Sequence, residues 1–307
     1  MAKEFQGIYP ALVTPFQGGP LGAEIDVDAL GRNILRLNGF GLAGYLVLGS
    51  TGECVSLTDD EAVRLVGLVC ETAAPGKKVI AGSGKESTVL TIDFTRRMAE
   101  AGADAALVRP PSYFKGKMNR EALKRHYLAV ADASPIPIIL YNIPQNTGIN
   151  IEPGLVVELS AHPNIVGLKE SSGSLPYLVE IIRRLPPDFS YLVGSPAILL
   201  PALIMGASGA ILAVANAAPA LCVEIERLYR EGKIQEAVGR QLDLVPLCKM
   251  VMETHGISGL KCAMRSAGYE GGLARMPILP LDEKSAAEID AVMKALPVGN
   301  RTHVNSN

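Results

Sequence analysis

The chain has 307 residues, of which 48% are hydrophobic and 20% charged, a balance that excludes general disorder. Twenty-nine basic and 31 acidic side chains leave a net charge of −2, so no global field drives it onto nucleic acid or an anionic membrane. The five cysteines, at 54, 70, 222, 248 and 262, form no Cys-x-x-Cys pair and fit the reduced thiols of a cytoplasmic protein better than a disulfide framework.

The amino-terminal segment Met1–Gly7 lacks the apolar core of a signal peptide. Beyond it, short runs of Val, Ile and Leu predict strands at Ile8–Val13, Tyr45–Leu48, Val79–Ala81, Ala105–Val108, Ile138–Tyr141, Ile165–Lys169, Tyr191–Val193 and Ala210–Ala213. Between them, helical spacing predicts helices near Asp26–Leu37, Asp59–Ala73, Ser87–Ala101, Arg120–Ala133, Pro153–Leu159, Leu175–Leu185 and Ile198–Met205. Thr58 with Glu61 reads as a capping box. This alternation predicts a (β/α)8 TIM barrel over residues 1–218. The most apolar stretch, Ala210–Val223, is too short to span a bilayer and carries Asn216 and Pro219.

After the eighth strand the pattern becomes helical. Two helices are expected from Pro219 to His255 with a break near Glu231–Lys233, a third near Gly259–Ala267 and a last near Glu283–Leu296. Residues 219–298 therefore read as a C-terminal helical extension of the same unit, and 299–307 as a polar tail.

Lys169 ends the sixth predicted strand, on the face where barrels of this type carry their chemistry. A partly desolvated amine is favoured in its neutral, nucleophilic form and can add to a ketone to give an imine. A lysine at a strand exit is also an ordinary surface residue. Tyr141 ends the neighbouring fifth strand, about 4.8 Å away, where a phenol can shuttle protons or simply pack. Gly49-Ser50-Thr51-Gly52-Glu53 follows the second strand. Its N–H and hydroxyl groups can hold a carboxylate, or it is a plain turn.

Other motifs fail. Gly82-Ser83-Gly84-Lys85 lacks the leading glycine of a phosphate loop, and Glu86 stands where Ser or Thr is needed, so it reads as a turn. No Gly-x-Ser-x-Gly occurs, and the single Gly-x-Gly-x-x-Gly, Gly39–Gly44, leads into a predicted strand instead of opening a helix after one. Gly194-Ser195, after the seventh strand, and Gly206–Gly209, before the eighth, could hold a phosphate, but tight turns explain these glycines equally well. Histidines at 126, 162, 255 and 303 form no metal-binding motif.

Taken together, Gly49–Glu53, Tyr141-Asn142-Ile143-Pro144 and Gly167-Leu168-Lys169-Glu170-Ser171 resemble the dihydrodipicolinate synthase / N-acetylneuraminate lyase superfamily from about Gly7 to about Leu296. The resemblance implies a pyruvate-dependent class I aldolase that uses no metal and no cofactor. It implies that Lys169 is the Schiff-base lysine and Tyr141 the proton-relaying tyrosine. Thr51 matches the hydroxyl that links that tyrosine to a second one, and Tyr113 matches the tyrosine that the family donates into a neighbouring subunit's site. Ser50 and Thr51 match the pyruvate carboxylate site, and Gly194 and Ile211 match backbone positions lining the pocket. A homotetramer built as a dimer of dimers is implied as well, with a small 2-oxo acid as substrate.

Asn146 departs from the arginine with which dihydrodipicolinate synthases grip their aldehyde's carboxylate; its amide has donors but no charge. Ala62 and Leu90 stand where lysine-regulated members carry a histidine and a glutamate. The segments Ser134–Pro137, Asn146–Gly148, His162–Gly167 and Gly256–Lys261 resemble the 4-hydroxy-2-oxoglutarate aldolase branch, in which Ser171 also has a counterpart, while Thr51 departs from that branch's asparagine. The expected reaction is cleavage of 4-hydroxy-2-oxoglutarate to pyruvate and glyoxylate, with Asn146 and Ser171 lining the substrate site. The alternatives are condensation of pyruvate with aspartate semialdehyde and cleavage of N-acetylneuraminate or a 2-keto-3-deoxy-sugar acid.

Overall fold

A computed structural model describes residues 3–19 and 21–297, so the 299–307 tail lies outside the described residues. Its centre is a sheet of eight parallel strands: β1 (Gly7–Pro10), β4 (Gly44–Val47), β5 (Lys78–Gly82), β6 (Ala105–Val108), β7 (Ile138–Asn142), β8 (Ile165–Glu170), β9 (Ser190–Val193) and β10 (Gly209–Leu212). Pairing runs in chain order, and β1 also pairs with β10. A parallel bridge between Ala11 and Leu46 then closes the sheet into the expected barrel. Seven strands lie within one residue of their expected bounds; the first ends at Pro10, three residues before the expected Val13. A small hairpin, β2 (Phe16–Gln17) with β3 (Glu24–Ile25), stands beside the barrel. It was not expected, because two residues per strand show no period.

Around the barrel run α1 (Val27–Leu37), α2 (Asp59–Thr72), α3 (Thr88–Glu100), α4 (Arg120–Ala133), α5 (Pro144–Thr147), α6 (Pro153–Leu159), α7 (Leu175–Ile181) and α8 (Leu199–Ile204). Their starts are set by local chemistry. Asp26, Ser87 and Asn119 accept from N–H groups of the first turns of α1, α3 and α4. Thr58 and Glu61 form the reciprocal capping box of α2. α7 is shorter than expected: it stops at Ile181, ahead of Pro186-Pro187, which cannot continue a helix.

The remaining helices are α9 (Pro219–Arg230), α10 (Ile234–Cys248), α11 (Gly256–Ser266) and α12 (Glu283–Ala295). α10 runs past Pro246, whose missing N–H breaks the backbone ladder, into a π-helical segment, Lys249–Thr254. The third helix of this group begins at Gly256, three residues ahead of expectation. Among the described residues no helix is long and apolar enough to cross a membrane.

Two apolar layers hold the fold. Inside the barrel pack Phe5, Tyr9, Leu46, Ile80, Leu107, Ile139, Leu192 and Ile211. Between barrel and helices pack Ile8, Tyr45, Val47, Val79, Ile138, Leu140 and Leu168 with the helices' buried faces. Along β7 the two sets alternate, so Ile139 and Tyr141 point inward while Ile138 and Leu140 point outward.

One buried titratable group belongs to this outer layer. His126 of α4 is 5% exposed, and its Nδ1 hydrogen-bonds the Thr88 hydroxyl at 3.0 Å. Burial pulls its pKa from 6.5 down to about 4. The unfolded chain therefore binds this proton first as pH falls. The neutral ring's contribution is complete above the unfolded value and is lost as pH drops from 6.5 towards about 4, up to about 3 kcal/mol in all. Urea midpoints should fall between pH 7.5 and pH 5, and the fall should shrink in His126→Leu. Equal pH dependence in both proteins would refute the assignment.

Candidate active site

The strand alternation that sends Tyr141 inward also sends Lys169 inward, because Leu168 faces the helices. Tyr141 of β7 and Lys169 of β8 are direct register partners. Lys169 Nζ donates to the Tyr141 hydroxyl at 3.3 Å and lies 4.3 Å from the centre of its ring. Both are nearly buried, at 4% and 5% exposure. The amine has a phenol for a neighbour and no carboxylate among its ion-pair partners in the described residues.

Facing them is the exit of β4. Leu48 and Glu53 adopt left-handed backbone, at φ 59° and 54°, and bracket a single 3₁₀ turn, Ser50–Gly52. Left-handed conformation in a bulky, non-glycine residue is strained and persists only where its surroundings impose it. Here Thr14 Oγ1 donates to Gly52 O at 2.7 Å, and the buried Glu53 carboxylate pairs with Lys261 of α11 at 2.6 Å. Lys261 Nζ also donates to Thr14 O at 2.7 Å and to Leu273 O. Burial pulls the Lys261 pKa below the usual lysine value, while Glu53 pulls it back up. The C-terminal helices thus reach into the barrel and fasten the turn that carries Ser50 and Thr51.

The far wall comes from the ends of β8 and β9. Gly194 N donates to Glu170 O at 2.6 Å, and a Cβ at Gly194 would stand 1.9 Å from Ser171 Oγ. Only glycine leaves Ser171 in place. Behind this wall Glu170 is fully buried; Ser172 N donates to its Oε1 at 2.7 Å and Asn142 Nδ2 at 3.2 Å. Burial pushes its pKa up against those donors.

Lys169, Tyr141, Ser50, Thr51, Asn146, Ser171, Gly194 and Ile211 all line one cavity of about 540 Å³, a size suited to a small organic acid and its partner. Tyr113 does not. It is 80% exposed and borders a surface groove with Glu86, Lys115 and Asn146. Gly82 ends β5 and Ser83–Lys85 leave it as irregular chain, not as the expected turn; Lys85 pairs with Asp59 at 2.5 Å and lies 3.7 Å from the Phe94 ring centre. The sequence reading missed Gln145 and Glu253 of the cavity wall and named Ser195 only as part of a phosphate alternative. Gln145 precedes Asn146 and was within reach of that argument; Glu253 sits on the π-helical segment, which no local pattern announces.

The match to a model of the dihydrodipicolinate synthetase family covers residues 4–296. The chain belongs to that family. Its members are pyruvate-dependent class I aldolases and lyases that work through a Schiff-base lysine, and the chain is an enzyme of that type. It is 37% identical over 291 residues to a 4-hydroxy-tetrahydrodipicolinate synthase of Methanothrix thermoacetophila, spanning 94% of this chain and 96% of that one. A synthase of the same name from Archaeoglobus fulgidus is 36% identical, over 95% of this chain and 98% of the other. Among solved structures, a dihydrodipicolinate synthase of Bacillus anthracis superposes with a TM-score of 0.90 at 30% identity, covering 96% of this chain and 99% of that one. The enzyme from Aquifex aeolicus gives 0.88 at 33%, covering 95% and 99%. These relatives support the family but not the narrower placement in the 4-hydroxy-2-oxoglutarate aldolase branch.

Proposed function

We propose that the chain makes and breaks a carbon–carbon bond to pyruvate through an imine on Lys169. The observation that carries this is the buried amine 3.3 Å from the Tyr141 hydroxyl, with Ser50 and Thr51 across the same cavity. Lys169 Nζ adds to the keto carbon of pyruvate, and water leaves. Loss of a proton from the methyl carbon gives the enamine. That carbon attacks the aldehyde carbon, and the aldehyde oxygen takes up a proton. Hydrolysis then returns the free amine. Tyr141 carries protons in these steps, with Thr51 as its relay. N–H and hydroxyl donors at Ser50 and Thr51 hold the pyruvate carboxylate, while Gly194, Ile211 and Ser171 shape the pocket around it.

The relatives' names support aspartate semialdehyde as partner, giving 4-hydroxy-tetrahydrodipicolinate synthesis. The second reading is cleavage of 4-hydroxy-2-oxoglutarate, which Asn146 favours because it replaces the expected arginine. A side-by-side assay of the two reactions separates them. The first reading expects condensation to dominate; dominant cleavage would replace it by the second.

Tyr113 is placed by the same reading in the site of a second copy. Its exposure with Phe114, away from its own cavity, supports that placement, which requires at least a dimer and is compatible with a homotetramer built as a dimer of dimers. A fully active monomer in sedimentation would refute the shared site.

A further inference from the structure

The pyruvate half of the reaction engages Lys169, Ser50 and Thr51, and the remaining wall of the cavity must recognise the aldehyde. That wall has a distinct charge. Among the described residues lining the cavity, Lys169 and Glu253 are the only charged ones. The other polar side chains nearby are amides and hydroxyls, including Gln145, Asn146, Ser172 and Ser195. Gln145 Nε2 already donates to Ser171 O at 2.9 Å. Glu253 lies exposed on the π-helical segment, at the rim of the cavity.

Once the imine forms, the single positive charge at Lys169 is balanced by the bound pyruvate carboxylate. A second carboxylate entering the cavity would find no cation besides Lys169 among the described residues lining it, and would meet Glu253. Desolvating an anion without a compensating charge is unfavourable, and a like charge adds to the cost. An ammonium on the aldehyde reverses the sign of that last interaction.

We propose that the cavity selects a partner aldehyde without net negative charge, and that Glu253 is the specificity-determining residue, attracting an ammonium and repelling a second carboxylate. This rests on the imine reading above. It makes aspartate semialdehyde, a zwitterion, a better partner than an aldehyde of the same length that lacks the ammonium.

The test compares kcat/KM for aspartate semialdehyde, succinic semialdehyde, glyoxylate and glyceraldehyde, each with pyruvate, in the full-length enzyme and in Glu253→Gln. Borohydride trapping of pyruvate is run in parallel on both proteins. We expect aspartate semialdehyde to exceed succinic semialdehyde by at least about tenfold, and Glu253→Gln to shrink that ratio by roughly three- to tenfold, the scale of one partly exposed charge interaction. Raised ionic strength should shrink it too. Preference for succinic semialdehyde or glyoxylate, or an unchanged ratio in Glu253→Gln, overturns the proposal while trapping still occurs. Absence of trapping overturns the underlying imine reading instead.

Discussion

Incubated with pyruvate and reduced with borohydride, the enzyme should gain the mass of one reduced imine, and peptide mapping should place it on Lys169. Lys169→Met should give no adduct and lose at least about 10³-fold in kcat, because removing a covalent nucleophile removes the route and not merely a contact. Tyr141→Phe separates the two roles. It keeps the amine and should still trap pyruvate, but kcat should fall about 10²-fold or more for want of a proton carrier. The pair is instructive because the two groups stand only 3.3 Å apart and are almost equally buried. If burial alone explained them, both substitutions would shift stability and neither would change trapping. An adduct on another lysine, or a Tyr141→Phe enzyme with native turnover, would dismantle the assignment.

The barrel was legible because its strands are buried on both faces and so appear as unbroken apolar runs, each closed by a helix signal. The same logic placed Tyr141 and Lys169 together. Two neighbouring runs ended in a phenol and an amine, and parallel register made them partners. Three features escaped for physical reasons. The hairpin of Phe16–Gln17 and Glu24–Ile25 is shorter than any periodicity. The π-helical Lys249–Thr254 is six residues long with Val251 as its one buried residue, too short to show a period of its own, so Glu253's position depends on a backbone change that no local pattern announces. The pairing of Glu53 with Lys261 joins a barrel loop to the C-terminal extension, and nothing local links them. The signal that could have found it was Lys261 itself, a lone charge inside Leu260-Lys261-Cys262-Ala263-Met264. Only a partner makes such a residue tolerable in a core.

That pair gives the second large expected effect. Both side chains are essentially sealed, at 1% and 0% exposure. Removing one member of a buried pair leaves the other charge without compensation and costs about 3–5 kcal/mol. Lys261→Met additionally strips the donors from Thr14 O and Leu273 O. Glu53→Gln is the milder change, since Arg275 N still donates to the remaining side-chain oxygen. The double variant Lys261→Met/Glu53→Gln should recover part of the loss, with a coupling of about 1–3 kcal/mol in urea unfolding at pH 7.5. The site should register the same break. Glu53 ends the strained turn that carries Ser50 and Thr51, so releasing its carboxylate should loosen the donors proposed to hold pyruvate. In Glu53→Gln the KM for pyruvate should therefore rise more than kcat falls, whereas a purely structural pair would change the folded fraction and leave KM alone. Wild-type midpoints in both single variants, or an unchanged KM in Glu53→Gln, would show that the turn holds its strain without help from the C-terminal helices.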